Sequence, residues 1–267
     1  MVEKDQNIPE ENEMSFLDHL ESLRWHLVRS VVALIGLSIL AFLNKSFVFD
    51  TVIMGPKRPE FWTYRMMCSI SEAICIENIP FIIMNINMSG QFTNHIFVSL
   101  IAGFVVAFPY ICWEMWRFVK PALYVKESTY ARGIVFFSST LFIGGVLFGY
   151  YIIAPLAINF LGSYQVSEEV VNQINLGSYM TTIASISLAC GIVFQLPVLT
   201  YFLAKVGLIG PSIMRQYQRH SFVVSLILAA IITPPDIISQ ILVALPLLLL
   251  YQVSIFIAAV VEKRNNT

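Results

Sequence analysis

The residues with the clearest capacity for chemistry are two carboxylates placed among cations, Glu21 and Glu127. Glu21 lies three residues before Arg24, and Glu127 directly follows Lys126. Two such carboxylates can each hold a guanidinium through paired hydrogen bonds and so receive a cationic partner. Each can equally neutralise its neighbour at a solvated surface, where such a pair contributes about 0 to 1 kcal/mol. The residue types alone do not decide between binding and neutralisation.

Motifs for catalysis and for metal binding do not occur in the sequence. The patterns of serine hydrolases, zinc proteases and nucleotide-binding loops are all missing. The four histidines (His19, His26, His95 and His220) lie far apart in sequence, and the four cysteines form no C-x-x-C pair and no cluster with metal-ligand spacing. We therefore expect no enzyme activity, no metal and no cofactor.

Gln195 is the residue that keeps a second class of function open, an ion-coupled secondary transporter. Such transporters usually place ionisable groups near the membrane midplane. No Asp, Glu, Lys or Arg falls in the middle of a predicted span, so Gln195 is the nearest candidate for a transport site. A buried glutamine more often acts as a hydrogen-bonding strut between helices, and we favour that interpretation.

Composition defines the elements that must position these residues. The chain is 57% hydrophobic and only 12% charged over 267 residues, with a mean hydropathy of +0.73. A soluble domain carries about 25% charged residues, so these values predict an all-α integral membrane protein. The first 13 residues are polar and acidic and do not resemble a cleavable signal, so the first span is expected to stay in the protein.

Six membrane spans in one domain are predicted from the apolar runs. They cover about residues 27–43, 92–118, 132–161, 179–206, 217–232 and 237–261. An amphipathic interfacial helix is expected at 14–26, and the polar stretch 113–127 is interpreted as the turn between the second and third spans. The spacing of Gly145 and Gly149 permits close approach of another helix. The fifth span is short, because its apolar core covers roughly 17 Å of a hydrocarbon layer of about 30 Å.

The basic residues predict the orientation. All but four of the 16 lysines and arginines fall on one side of the predicted spans, the exceptions being Lys45, Lys57, Arg58 and Arg65. Positive loops face the cytoplasm, so both termini are placed there. Residues 44–91 then form an ordered outer cap, which contains Cys68 and Cys75. These two cysteines can form a disulfide in an oxidising compartment or remain free thiols.

Four segments resemble the TatC family, the receptor subunit of the twin-arginine protein translocase. Residues 16–24 (FLDHLESLR) are similar to its F-L-x-H-L-x-E-L-R signature, and residues 116–127 (WRFVKPALYVKE) to its first cytoplasmic loop, F-x-x-P-A-L-Y-x-x-E. Residues 191–197 (GIVFQLP) and 233–236 (TPPD) resemble its fourth-span and last-loop motifs. The resemblance implies a six-helix concave bundle that binds signal peptides of folded proteins, with export driven by the proton motive force.

The resemblance also implies a signal-peptide site. Glu127 is its main acceptor for the arginine pair, and Glu21 and Arg24 complete it on the first helix. The residues expected to shape the seat of the arginine pair are Phe118, Pro121, Leu123 and Tyr124. The second glutamate of the family's signature is Ser22 here, so either Glu21, about 100° around the helix, supplies the charge or recognition depends more on Glu127.

A second group of positions matches family residues linked to single-span partner subunits of the TatA and TatB type or to the structure of the outer loop. This group comprises Gln195, Pro197, Thr233, Pro234, Pro235, Asp236 and Gln240. Many members of the family have a glutamate where this chain has Gln195. The amide keeps the capacity for hydrogen bonding and loses any titration.

Overall fold

The computed structural model describes residues 16–72, 75, 81–119, 131–165, 167, 172–233 and 237–265. These residues are mainly helical, as the predicted all-α class requires. The α-helices are α1 Phe16–Leu43, α2 Trp62–Ile70, α3 Gly90–Val119, α4 Ala131–Phe148, α5 Ala154–Ser163, α6 Leu176–Val193, α7 Leu196–Lys205, α8 Pro211–Gln216, α9 Gln218–Ile232 and α10 Ile237–Asn265. Two π-helical segments, Phe47–Ile53 and Gly149–Ile153, and a 3-10 turn, Gly55–Lys57, complete the helical part.

Within the described residues, five stretches are helical, long and apolar enough to cross a membrane. They are Glu21–Leu43, Gly90–Val119, Gly133–Ser163, Leu176–Lys205 and Ser239–Lys263. The apolar helix α9 is shorter, and its 15 residues extend about 22 Å. The chain is therefore a multi-pass membrane protein, and α9 occupies the position of the short fifth span.

The first helix differs from the predicted arrangement of an interfacial helix at 14–26 followed by a separate span. The structure has one uninterrupted α-helix from Phe16 to Leu43. This segment contains no proline, and Gly36 is its one glycine. Nothing in the sequence interrupts the backbone hydrogen bonds near residue 27. The predicted interfacial segment and the first span therefore form one continuous helix.

The end of α3 corrects the interpretation of residues 113–119 as part of a turn, and it lies one residue beyond the second span predicted at 92–118. Helix α3 continues to Val119, so residues 113–119 form its last two turns. These residues include neither proline nor glycine, so nothing in them ends the helix. Their polar side chains stand three residues apart, a spacing at which side chains are neighbours on a helix. The side chains of Glu114 and Arg117 therefore project from a membrane helix.

Close helix packing at glycines confirms the prediction from Gly145 and Gly149. A Cβ atom built at Gly145 would lie 2.7 Å from the backbone oxygen of Cys190, and one at Gly149 would lie 2.8 Å from the Cα atom of Ser187. Both contacts are with α6. A similar approach brings α1 against α3, where a Cβ atom at Gly103 would overlap Ser38. Small residues thus set the spacing of the bundle.

Buried tyrosines attach the outer segment 47–70 to the membrane helices. Tyr64 of α2 is fully buried, and its hydroxyl donates to the backbone oxygens of Pro56 at 2.9 Å and Pro155 at 3.0 Å. Burial raises the pKa of the Tyr64 phenol above its ordinary value. The hydroxyl of Tyr150 donates to the oxygen of Val52, and that of Tyr179 donates to the oxygen of Ile53. These hydroxyl groups thus supply hydrogen-bond donors to the backbone carbonyl groups of residues 52, 53 and 56, where the outer segment turns.

Two short strands join the outer segments on either side of α3 and α4. Strand β1, Ile82–Met84, pairs in parallel with β2, Gln173–Asn175, and Ile83 lies opposite Ile174. A disulfide links Cys68 to Cys75, so the structure contains the bridge that the sequence left open. The outer segments are therefore fixed both to each other and to the bundle.

Candidate functional site

The most enclosed charged group of the described chain is the carboxylate of Glu114, on the last turns of α3. Its side chain is 1% exposed. One oxygen lies 2.5 Å from Nδ1 of His26 on α1, and the other accepts a hydrogen bond from the hydroxyl of Tyr110 at 2.9 Å. Burial of a carboxylate is costly unless it is paired and hydrogen-bonded, and here both oxygens have partners.

Cationic and aromatic side chains surround this buried carboxylate. The guanidinium of Arg117 lies 3.6 Å from Glu114 and 4.9 Å from the centre of the Trp113 ring. The ring of Phe118 meets the His26 ring edge-on, with centroids 6.3 Å apart. The predicted site residue Phe118 therefore lies beside the contact between α1 and α3.

The predicted residues of the first motif lie on an exposed face of α1. The guanidinium of Arg24 lies 3.2 Å from the carboxylate of Glu21, and both side chains are about two-thirds exposed, at 65% and 64%. Arg24 also approaches the ring of Trp25. In this structure Glu21 is thus neutralised within the helix by the arginine one turn away. An exposed pair of this kind contributes little to stability and exchanges partners easily.

The loop motif at 116–127 falls mostly outside the described residues. Residues 120–130 are not among them, so the structure does not test the predicted positions of Pro121, Leu123, Tyr124 and Glu127. Of the motif at 116–127, Trp116 to Val119 are described, and they end α3. Phe118 is the one predicted contact residue of that motif that the structure positions.

The cluster of His26, Tyr110 and Glu114 was missed by the sequence reasoning. A signal was present, because Tyr110 and Glu114 stand four residues apart in an apolar helix and a carboxylate within a predicted span needs a partner. The identity of the partner could not be read, since His26 lies 88 residues away in sequence. Only the packing of α1 against α3 brings the two together.

Gln195 forms hydrogen bonds that connect two membrane helices. Its side-chain oxygen accepts from the hydroxyl of Ser138 on α4 at 2.7 Å, and its amide nitrogen donates to the backbone oxygen of the same residue at 3.0 Å. The thiol of Cys112 on α3 lies 3.5 Å from the Ser138 hydroxyl. These contacts favour the strut interpretation. The three residues line a largely apolar cavity of about 260 Å³ between α3, α4 and α7.

The remaining predicted residues make structural contacts where they are described. Pro197 is buried in the first turn of α7, two residues after Gln195. The hydroxyl of Thr233 donates to the backbone oxygen of Ala229 at the end of α9. The amide of Gln240 donates to the backbone oxygen of Leu226 and so ties α10 to α9. The predicted residues Pro234, Pro235 and Asp236 lie outside the described residues.

Metal-ligating side chains do not gather in the part of the chain that the structure describes. No group of three or more His, Cys, Asp or Glu residues there could hold a metal ion. What the arrangement offers instead is a rigid contact between α1 and α3, exposed charges on α1, and the end of α3 leading into the motif at 116–127.

Comparison with known proteins gives matches along nearly the whole chain. The profile of the family described as Sec-independent protein translocase protein (TatC) matches residues 18–246. A protein of that name from Blattabacterium sp. subsp. Periplaneta americana (strain BPLAN) is 40% identical over 263 residues, which cover 96% of this chain and 99% of the relative. The namesake from Aquifex aeolicus (strain VF5) is 31% identical over 255 residues, covering 95% and 98% of the two chains.

Solved structures agree with the sequence matches. A crystal structure described as the twin arginine translocase receptor TatC superimposes with a TM-score of 0.70 and 29% identity, over 90% of this chain and 97% of the other. A second crystal structure of that receptor, in DDM, gives a TM-score of 0.69 and 31% identity, over 89% and 98% of the two chains. The predicted fold class, a helical membrane bundle, is thereby confirmed.

Proposed function

The chain belongs to the TatC family, and on that premise we propose that it is the receptor component of a twin-arginine translocase. It binds the signal peptides of folded proteins that carry consecutive arginines. Their export is driven by the proton motive force, and the chain itself carries out no catalysis. The proposed location is the cytoplasmic membrane, with both termini in the cytoplasm.

One observation supports this function above the others, the contact between His26 and Glu114. His26 stands two residues after the first family motif at 16–24, and Glu114 stands two residues before the second at 116–127. Because their side chains lie 2.5 Å apart, the first motif and the described part of the second, residues 116–119, lie at the same end of the bundle. Two segments remote in sequence can therefore contribute to one binding surface.

The proposed chemistry is exchange of one guanidinium for another. Glu127 is the main acceptor of the signal peptide's arginine pair, and Phe118, Pro121, Leu123 and Tyr124 shape the seat of that pair. Glu21 already holds the guanidinium of Arg24 at an exposed surface. An incoming arginine can replace Arg24 there at small cost, because an exposed pair contributes only about 0 to 1 kcal/mol. Glu127 therefore contributes more of the binding free energy for the arginine pair than Glu21 does.

The short helix α9 supports the later steps of the proposal. It spans about 22 Å of a hydrocarbon layer of about 30 Å, so the bilayer beside it is thinned or α9 recruits flanking residues. This face binds the apolar segment of a signal peptide. It also binds the single-span partner subunits of the TatA and TatB type. The proposed outer contacts for these subunits lie at residues 233–236.

The alternative function, an ion-coupled transporter, is not supported by the comparisons. Glu114 is the buried carboxylate among the described residues, and it lies five residues from the end of α3. Its oxygens are occupied by His26 and Tyr110, so it does not lie open to a transport path.

Crosslinking tests the proposed site directly. A photo-crosslinking amino acid at position 127 is expected to capture a peptide that bears two arginines and to capture the same peptide with two lysines far less. Lysine cannot make the paired planar contact that a carboxylate accepts from arginine. The matched control places the crosslinker at the exposed outer residue Ile70. Equal capture of the two peptides at position 127 contradicts the proposal.

Export in cells tests the role of the charge. Glu127→Gln is expected to abolish export of a folded twin-arginine substrate while the protein remains inserted in the membrane. Glu60→Gln removes an exposed carboxylate from the outer segment and is expected to leave export unchanged. Export at the wild-type level in the Glu127→Gln variant overturns the assignment of this residue.

A further inference from the structure

A charged cavity lies at the junction of α8, α9 and α10, remote in sequence from the two signal-peptide motifs. Its volume is about 580 Å³, and both Arg215 and Arg219 line it. The two arginines stand four residues apart across the break at Tyr217 that separates α8 from α9. They therefore contribute two positive charges to a single recess at the end of the short helix α9.

The two guanidinium groups are exposed and have no carboxylate to neutralise them within the described part of the chain. The carboxylate of Glu262 lies beside Gly210, just before α8, and does not line the cavity. The other polar lining groups include the amides of Gln218 and Gln252. The recess thus offers a double positive charge and neutral hydrogen-bonding groups to an anion.

Apolar side chains form the other wall of the cavity. Phe222 of α9 and Leu248 and Tyr251 of α10 line it. The hydroxyl of Tyr251 donates to the backbone oxygen of Met214 at 2.8 Å, so α8 is held on α10 and the wall is fixed. Phe222 is 49% exposed, which makes this wall continuous with the surface of the bundle that faces lipid.

We propose that this cavity binds one anionic phospholipid of the cytoplasmic leaflet. Its phosphate lies between Arg215 and Arg219, and an acyl chain runs along Phe222 and Leu248. A guanidinium holds a phosphate through paired hydrogen bonds, and basic recesses between membrane helices bind anionic head groups. A head group without an ammonium group is favoured, because the positive charges of the two guanidinium groups are not neutralised by a carboxylate in the described part of the chain. The site is independent of twin-arginine recognition.

Native mass spectrometry of the full chain in detergent tests the proposal. Phosphatidylglycerol is added, with phosphatidylcholine of the same acyl chains in a parallel sample. The ratio of lipid-bound to lipid-free protein is expected to fall roughly 25-fold in the double variant Arg215→Gln/Arg219→Gln, since each basic residue at an anionic head group strengthens binding about fivefold. Lys57→Gln/Arg65→Gln removes the same charge from the outer segment and is expected to change nothing.

A charge-conserving variant separates loss of the site from loss of the fold. Arg215→Lys/Arg219→Lys is expected to retain phosphatidylglycerol, because the positive charges remain. Equal lipid retention by the wild type and the Gln double variant overturns the proposal, as does equal retention of phosphatidylcholine. Displacement of the lipid by an excess of inorganic phosphate indicates a site for free anions, and displacement by a polyglutamate peptide indicates an acidic protein partner. Either displacement also overturns the proposal.

Discussion

His26 and Glu114 lie 88 residues apart in sequence, and their side chains meet at 2.5 Å at one end of the bundle. The contact joins α1 to α3 where the surrounding side chains change from apolar to charged. Tyr110 holds the second oxygen of the same carboxylate. The relative position of the two helices is therefore set by polar contacts at this end, in addition to the close approach of Gly103 and Ser38 further along.

Replacement of Glu114 by alanine is expected to lower the free energy of unfolding by about 3 kcal/mol. The variant leaves the imidazole of His26, whose side chain is 12% exposed, without its partner, and breaking a buried polar pair from one side costs about this amount. Denaturant unfolding in detergent measures the change. Glu21→Ala is the control, since its carboxylate is about two-thirds exposed, and a change below about 0.5 kcal/mol is expected. Similar losses in both variants contradict the structural role of Glu114.

Ser22→Glu is expected to strengthen binding of a twin-arginine peptide by up to about fivefold, which corresponds to an exposed ion pair. The substitution restores the second glutamate of the family signature beside a carboxylate already paired with Arg24. Fluorescence anisotropy of a labelled peptide measures the affinity. Thr51→Glu adds the same charge to the outer segment and serves as the control. Unchanged affinity for Ser22→Glu means that the first motif does not contribute charge to recognition.

Gly145→Ala is expected to destabilise the bundle by about 1 to 3 kcal/mol. The added methyl group overlaps the backbone oxygen of Cys190, so α4 and α6 must separate or strain. Gly144→Ala is a neighbouring control, because no atom beyond its own stretch of helix lies within 4 Å of the added methyl group. Alanine at 144 is even expected to help slightly through helix propensity. Thermal unfolding in detergent measures both, and equal midpoints for the two variants refute the close packing.

Tyr64→Phe is expected to loosen the outer segment at a cost of about 1 to 3 kcal/mol. It removes the tyrosine hydroxyl that donates to the buried carbonyl oxygen of Pro56 and to that of Pro155 in the first turn of α5. Faster hydrogen exchange in residues 55–70 reports the effect. Tyr164→Phe removes a hydroxyl from a side chain that is 63% exposed and is expected to leave exchange unchanged. Equal exchange rates in Tyr64→Phe and the wild type disprove the anchoring role of Tyr64.

Features that depend on local composition could be predicted from the sequence. Long apolar runs reveal membrane helices because lipid demands continuous apolar side chains and internal backbone pairing. The spacing of Gly145 and Gly149 indicated a close helix contact for an equally local reason. The short fifth span was visible because charged and polar residues bound it on one side and Thr233 and Pro234 on the other.

Features that depend on pairs of distant segments could not be read from the sequence. The parallel pairing of β1 with β2 joins residues about 90 positions apart. Neither short segment has a sequence pattern that identifies its partner. The partnership of His26 with Glu114 arises in the same way. The polar and charged side chains at 113–119 suggested a turn in water, although the second span was predicted to reach residue 118. In the structure these residues end α3, and His26 on α1 is the partner of Glu114.

The π-helical turn at Gly149–Ile153 makes this part of the chain tolerant of a change in the number of residues. Its hydrogen bonds span five residues, as from the amide of Ala154 to the oxygen of Gly149, so the turn holds one residue more than an α-helix needs. Deleting a single residue here lets the turn close as an ordinary helix, and the helix beyond it keeps nearly the same rotation. Pro155, whose oxygen receives the Tyr64 hydroxyl, then stays close to its partner. The same deletion inside α4 rotates everything beyond it by about 100° about the axis and is therefore expected to be more damaging.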